Sequence, residues 1–328
     1  HAASLNPIDL QQMKGYGSNS FKLADTVTDN LYEAQLRETS DFPQTPGRDF
    51  VGEIVLPGLQ AREADFQTND IVIGATFPHQ SLGHAGALSD YISIPTCQLI
   101  NLSRLPGHDR VSHLQLAALP YAGITAWSAL KNSAGYDPRK EYSSKKALVV
   151  GASGPVGLLI LQFLKQCKLK QVDVIIPKDQ TAFDLAKKYG ADEIIKSPEK
   201  PAHKYDLVVD CVRPENVLKP AKPWHSYLEQ GARYVTLNPP ILKAVDEYGL
   251  LFGLARSFLF NKDCSTSYAL FGFGTKADDL RTMVQWMLNG QISLPLHKVY
   301  PFEKVPEAFD QLAQRAVRGK IVIDFINK

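Results

Sequence analysis

The ten residues LVVGASGPVG (148–157) run an apolar strand into a loop of three glycines and then place a proline where a helix begins. Such a loop aims backbone N–H groups and the positive end of the helix dipole at one spot, and both favour an anion there. Ala152, Gly154 and Gly157 take the spaced positions of a dinucleotide fingerprint, with alanine in the first, and Gly151 permits the tight exit from the strand. Pro155 falls in the first helical turn, where its missing N–H has no intrahelical partner and its fixed φ suits helix entry. It preorganises the turn and removes one phosphate donor. Gly151, Ser153, Gly154, Pro155, Val156 and Gly157 are therefore the candidate pyrophosphate cradle.

The surroundings of the loop decide whether it is more than a turn. KKALVVG (145–151) reads as a buried strand, and PVGLLILQFLKQCK (155–168) as a helix with one apolar face on a sheet. QVDVIIP (171–177) is a second strand, TAFDLAKKYG (181–190) a helix closed by Gly190, and ADEIIK a third strand. YDLVVDCV and ARYVTLNP are further strands, with a helix-like segment around 215–229 between them. Strand and helix alternate throughout, which predicts an α/β domain over residues 120–285 built on a Rossmann-type, doubly wound parallel sheet.

The flanks read differently. Residues 1–119 are richer in turn residues and short strands, such as DFVGEIVLPG, NDIVIGATF and ALSDYISIP, and residues 18–41 read as a polar loop insertion. Residues 286–328 hold a strand, a capped helix and a strand in HKVYPFEKVPEAFDQLAQRAVRGKIVIDF, read as the chain returning to complete the N-terminal domain. At 328 residues, 44% of them hydrophobic, the chain has room for two cores. With 36 Lys plus Arg against 34 Asp plus Glu, the net charge of +2 gives no electrostatic case for nucleic acid or an anionic membrane surface. No apolar run approaches the roughly 20 residues of a membrane helix. Cys97, Cys167, Cys211 and Cys264 make no CxxC or disulfide-like spacing, so a reducing compartment is expected. HAASLNP opens abruptly without an initiating Met, and upstream sequence with any targeting segment is expected before it.

Which dinucleotide the loop holds is read at the end of the second strand. An NAD enzyme usually places an acid there, about 20 residues after the loop, for the ribose hydroxyls. Here the strand ends VIIPKDQ: Ile176 and Pro177 cannot play that role. Lys178 either neutralises a 2′-phosphate or is an ordinary solvated charge, and Asp179 lies just beyond. The missing acid favours NADPH.

GRDFVGEI, LPYAGITAWSAL, GASGPVG, KKYGADEII and PFEKVPEAFDQL with RGKIVI, in that order over nearly the whole chain, resemble the medium-chain dehydrogenase/reductases, quinone oxidoreductase branch. The resemblance implies a β-rich, GroES-like N-terminal domain beside the Rossmann-type sheet. It also implies that Thr125 contacts the nicotinamide end of the cofactor, that Leu237 and Asn238 line it, and that Arg318 and Gly319 close over it. A closer likeness to mitochondrial members of the branch implies a mitochondrial location, a link to coenzyme Q biosynthesis and a reticulon-type membrane protein as partner. Family members often dimerise through the cofactor domain, so the resemblance raises a homodimer, while the sequence leaves the oligomeric state open.

Zinc members of the wider superfamily need Cys, His and an acid around the reacting carbonyl. Where AASLNPID resembles the segment of their first ligand there is Asn6 and no Cys, and where PGRDFVG resembles their His-Glu pair there is Arg48-Asp49. No zinc is expected. Hydride transfer without a metal relies on positioning and hydrogen bonds to the acceptor, which suits quinones and conjugated enones. The candidates are Asn6, as donor to an acceptor oxygen, and Tyr16, as proton donor or stacking partner; Asn6 also reads as a turn residue, Tyr16 as a half-buried aromatic and Asp9 as a cap or ion-pair partner. A zinc-independent NADPH quinone or enone reductase leads. A non-catalytic NADPH-binding interaction protein and an enoyl thioester reductase stand as the alternatives.

Overall fold

The computed structural model describes residues 1–14, 45–76, 86–195, 203–212, 222–237, 266–268, 277–314 and 317–326. In chain order the described strands are β1 (Ala2–Leu5), β2 (Asp49–Glu53), β3 (Ile71–Ala75), β4 (Leu99–Asn101), β5 (Lys146–Val150), β6 (Gln171–Ile175), β7 (Tyr205–Asp210), β8 (Leu228–Thr236), β9 (Thr266–Tyr268), β10 (Leu296–Pro301) and β11 (Lys320–Asp324). Two compact units contain them, His1–Tyr121 with Lys276–Lys328, and Ala122–Thr275. Boundaries expected from the sequence at 119/120 and 285/286 thus compare with divisions at 121/122 and 275/276. The helix Ala277–Leu288 goes with the first unit.

The first unit is built on a six-stranded sheet in the order β10-β11-β1-β2-β3-β4. The C-terminal strand β11 lies antiparallel to β1, with Ser4 opposite Val322 and Leu5 opposite Ile321. Strand β2 flanks β1 on its other side, with Ser4 opposite Asp49. The chain's end therefore completes a sheet begun at its start. Ala3, Leu5, Phe50, Val72, Leu99, Ile321 and Ile323 form its core together with Ala308 and Phe309 of the helix Val305–Ala313.

The second unit carries a five-stranded, wholly parallel sheet in the order β6-β5-β7-β8-β9. Parallel strands need crossovers, and the helices Pro155–Gln166 and Gln180–Lys188 supply two of them. Buried strands explain the unbroken apolar runs: Ala147 to Val150 and Leu207 to Val209 are all at most 1% exposed.

Three local expectations change. Of ADEIIK, Lys196 lies outside the described residues, and residues 191–195 form no strand but a single bridge from Ile194 to Val174. The reason lies in Asp192, whose carboxylate takes the Val172 N–H at 2.7 Å and so competes with a ladder bond. Counting that bridge, the sheet keeps the 3-2-1-4-5-6 order of a dinucleotide-binding fold. Of the helix-like segment around 215–229, residues 213–221 lie outside the described residues, Lys222–Tyr227 is a short 3-10 helix, and Leu228 already begins β8. ALSDYISIP forms no strand either; Ser89 Oγ donates to Gly86 O at 2.8 Å and lies 2.9 Å from Tyr91 O, bending the backbone locally. The polar insertion 18–41 lies outside the described residues.

Candidate functional site

In the second unit the glycine loop leaves the C-terminal end of β5, the edge at which doubly wound sheets receive ligands. Gly151 sits at φ +81°, and a Cβ on it would press Val212 Cγ2 at 2.8 Å. Its N–H donates to Ile175 O at 2.7 Å, which ties the loop to the end of β6. A Cβ on Gly157 would meet Gly151 O at 2.4 Å and Ala152 Cα at 2.7 Å, so this glycine is demanded by helix-on-loop packing. Gly154 is different: it is the helix N-cap at φ −86°, and among the described residues a Cβ there would touch only Gly151 O at 3.8 Å. Neither its conformation nor packing among the described residues requires that glycine. Close approach of a ligand to the backbone is the role such a glycine plays in dinucleotide-binding loops. Among the described residues no side chain caps this helix start; Pro155 occupies its first turn, Val156 is half-buried and Ser153 is buried beside it. The residues present fit a pyrophosphate.

At the end of β6, Lys178 is exposed. Asp179 is the N-cap of the helix Gln180–Lys188, its Oδ1 accepting from Ala182 N at 2.8 Å. That employment accounts for the acid following the strand without a ribose. At the end of β7, Asp210 is buried, accepting from Tyr234 Oη at 2.9 Å and from Val212 N at 2.9 Å, and burial pushes its carboxyl pKa up. Leu237 is half-buried just past β8, with its N–H on Asp210 O at 3.1 Å. Thr125 is half-buried on the helix Pro120–Ser128. Asn238 and Tyr16 lie outside the described residues.

The first unit holds a buried polar centre. Asp49, on β2, is fully buried; its Oδ2 accepts from Ser4 Oγ at 2.6 Å, Asn6 Nδ2 at 2.8 Å and Lys320 Nζ at 2.9 Å. Its Oδ1 accepts the amide of Tyr121, in the first turn of the helix Pro120–Ser128, where a carboxylate also complements the dipole. Lys320 Nζ donates a further bond to Asn6 Oδ1 at 2.7 Å. Asp9 lies on the short helix Pro7–Gln12 that Asn6 begins, and accepts from Asn6 N at 2.8 Å, from Gly47 N at 3.2 Å and, at 3.5 Å, faces Arg48 Nε. Arg48 Nη2 donates to Gln12 Oε1. Burial raises the Asp9 carboxyl to about 6, against the opposing pull of Arg48. Two carboxylates thus face two cations in one dehydrated cluster.

The structure brings Asn6, Arg48 and Asp49 together, the positions at which zinc members were compared above, and adds Lys320 and Asp9. As arranged, this centre does not suit a zinc ion. It offers no thiolate or imidazole, Asn6 Oδ1 and both Asp49 oxygens already accept hydrogen bonds, and two cations stand within it. Among the described residues, no three His, Cys, Asp or Glu side chains cluster as metal ligands. Gly319, at φ +99°, begins β11 where a Cβ would strike Pro295 O at 2.3 Å, and Arg318 beside it is half-buried.

Comparison with known proteins gives the chain its family. Residues 189–323 match the family model described as a zinc-binding dehydrogenase. The mitochondrial NAD(P)H oxidoreductase RTN4IP1 of Bos taurus is 31% identical over 99% of this chain and 80% of its own length. The chain belongs to the medium-chain dehydrogenase/reductase superfamily. Within it, the chain stands with the RTN4IP1 proteins, whose names place them in mitochondria, the location the resemblance implies. The chloroplastic quinone-oxidoreductase QR1 of Triphysaria versicolor is 27% identical over 86% of this chain and 80% of its own. Among solved structures, the quinone oxidoreductase of Coxiella burnetii superposes with a TM-score of 0.72, at 23% identity over 99% of this chain and 88% of that one, and shares the fold. Asp9 is the cap and ion-pair partner the sequence suggested, whereas Lys320 was missed because its partner is remote, 271 residues away at Asp49. The only local signal was GK opening an apolar strand.

Proposed function

We propose that the chain is a zinc-independent, NADPH-dependent oxidoreductase that reduces a quinone or a conjugated carbonyl. The observation that carries this reading is Gly154, a glycine that nothing among the described residues requires, at a helix start beside β5 that no described side chain caps. NADPH supplies the hydride when bound. Gly151, Ser153, Gly154, Val156 and Gly157 cradle its pyrophosphate, Lys178 pairs with its 2′-phosphate, and Thr125, Leu237, Asn238, Arg318 and Gly319 take the flanking contacts. At the acceptor, Asn6 donates from its amide to the oxygen on which negative charge develops, and Tyr16 gives the proton or stacks on the ring. The names of the RTN4IP1 and quinone-oxidoreductase relatives support the nucleotide and the acceptor class. Mitochondrial placement, a link to coenzyme Q biosynthesis, a reticulon-type partner and a homodimer belong to the same reading.

A charge-assisted contact to phosphate is worth roughly 1.5–3 kcal/mol, so NADPH should bind at least about tenfold more tightly than NADH. Fluorescence titration with both nucleotides, repeated on Lys178→Ala, checks this, and the variant should lose the preference. Equal affinities in the parent would remove the case for NADPH. Bound nucleotide with no turnover on any quinone or enone would favour the interaction-protein reading.

A further inference from the structure

Lys320 is, with Arg48, one of the two basic side chains buried among the described residues, at 2% exposure. Its place is set by backbone. Strand β11 pairs Ile321 with Leu5 of β1, and one further step along that register aligns Lys320 with Asn6. Gly319, at φ +99° and against Pro295 O, lets the chain enter β11 this closely, and Lys320 N–H donates to Pro295 O at 2.9 Å. The ammonium then has two acceptors, Asn6 Oδ1 at 2.7 Å and Asp49 Oδ2 at 2.9 Å.

An asparagine amide has nearly the same shape in both of its flips, and only its neighbours choose between them. Lys320 offers donors alone and Asp49 acceptors alone. Asn6 must therefore turn Oδ1 to the ammonium and Nδ2 to the carboxylate, since the reverse flip would set N–H against N–H and oxygen against oxygen. We propose that Lys320 is a positioning residue: its buried ammonium, the one of the centre's two cations that is bonded to Asn6, fixes the Asn6 amide so that one Nδ2 proton is held by Asp49 and the other is left for the acceptor oxygen. This rests on the reading of Asn6 given above. It goes beyond it by naming what makes that asparagine a preorganised donor rather than a rotating one.

The test uses the full chain in three forms: parent, Lys320→Met, and the uncharged pair Asp49→Asn/Lys320→Met, which keeps the centre neutral if the single variant does not fold. Two readouts are needed. The first is hydrogen exchange of the Asn6 side-chain amide by NMR, which requires no turnover; the second is kcat with the best quinone or enone alongside the NADPH dissociation constant. The folded variant should exchange the Asn6 amide protons at least about tenfold faster and lose about tenfold or more in kcat, with NADPH affinity within about twofold of the parent. Parental exchange in a folded variant overturns the proposal. So does faster exchange with parental kcat, which would make Lys320 a stability residue only. If the parent itself turns over no acceptor, the proposed function fails, while the exchange measurement still decides whether Lys320 fixes Asn6.

Discussion

A methyl group added at Gly157 would meet a carbonyl oxygen at 2.4 Å, whereas one added at Gly154 finds its nearest neighbour among the described residues at 3.8 Å. Gly157→Ala should therefore lower stability by about 1–3 kcal/mol through forced repacking of the helix on its loop. Gly154→Ala should melt near the parent and yet bind NADPH at least about tenfold more weakly. Calorimetry and titration on the two variants separate the roles; parental NADPH affinity in Gly154→Ala would mean that the glycine serves no cofactor. Asp9 supports a pH prediction of definite sign. Its carboxyl is raised from 3.8 to about 6, chiefly by burial, so the folded protein holds a proton there that the unfolded chain releases. The stabilisation from that proton is complete below pH 3.8 and is lost as the pH rises through about 6, on the order of 3 kcal/mol in all. In Asp9→Asn this loss is absent, so the variant's stability relative to the parent should improve between pH 4 and pH 7. A difference in stability that stays constant across that range would show that Asp9 is not the titrating group.

Three neighbouring strands make the polar centre: β11 gives Lys320, β1 gives Ser4 and runs on to Asn6, and β2 gives Asp49. Removing one partner of a buried ion pair leaves the other uncompensated, so Lys320→Met should cost about 3–5 kcal/mol. The pair Asp49→Asn/Lys320→Met should cost clearly less than the sum of its single changes, and denaturant unfolding of all four forms measures that coupling. Additive costs would mean that the two charges do not act as a pair. How legible these elements were depended on how local their causes are. LVVGASGPVG declared strand, loop and helix because the signal, apolar run then glycines then Pro155, lies within ten residues. β10, the helix Val305–Ala313 and β11 were legible for the same reason. ADEIIK failed because an edge-strand reading knows nothing of the Asp192 carboxylate that occupies a ladder donor. ALSDYISIP alternates like a strand, but the Ser89 hydroxyl bends it. Of the candidate site, the glycine loop and the cluster position of Asn6, Arg48 and Asp49 could be read. Lys320 could not, because its partnership exists only once β11 lies beside β1.

At the scale of the molecule, the proposed function assigns each unit one half of a redox reaction. The second unit combines a parallel sheet, a glycine exit from β5 and a helix start without a side-chain cap among the described residues, where the proposal seats the dinucleotide. The first unit encloses balanced charges around an asparagine, where the proposal has an acceptor oxygen polarised without a metal. The reduction of a conjugated enone by NADPH deuterated at nicotinamide C4 tests the two halves together, with a chelator present throughout. For one of the two C4 stereoisomers, deuterium should appear at the β-carbon of the saturated product and nucleotide consumption should slow by a primary isotope effect. Product free of deuterium with both stereoisomers, or no reduction under the chelator by protein that reduces the enone without it, would contradict direct metal-free hydride transfer.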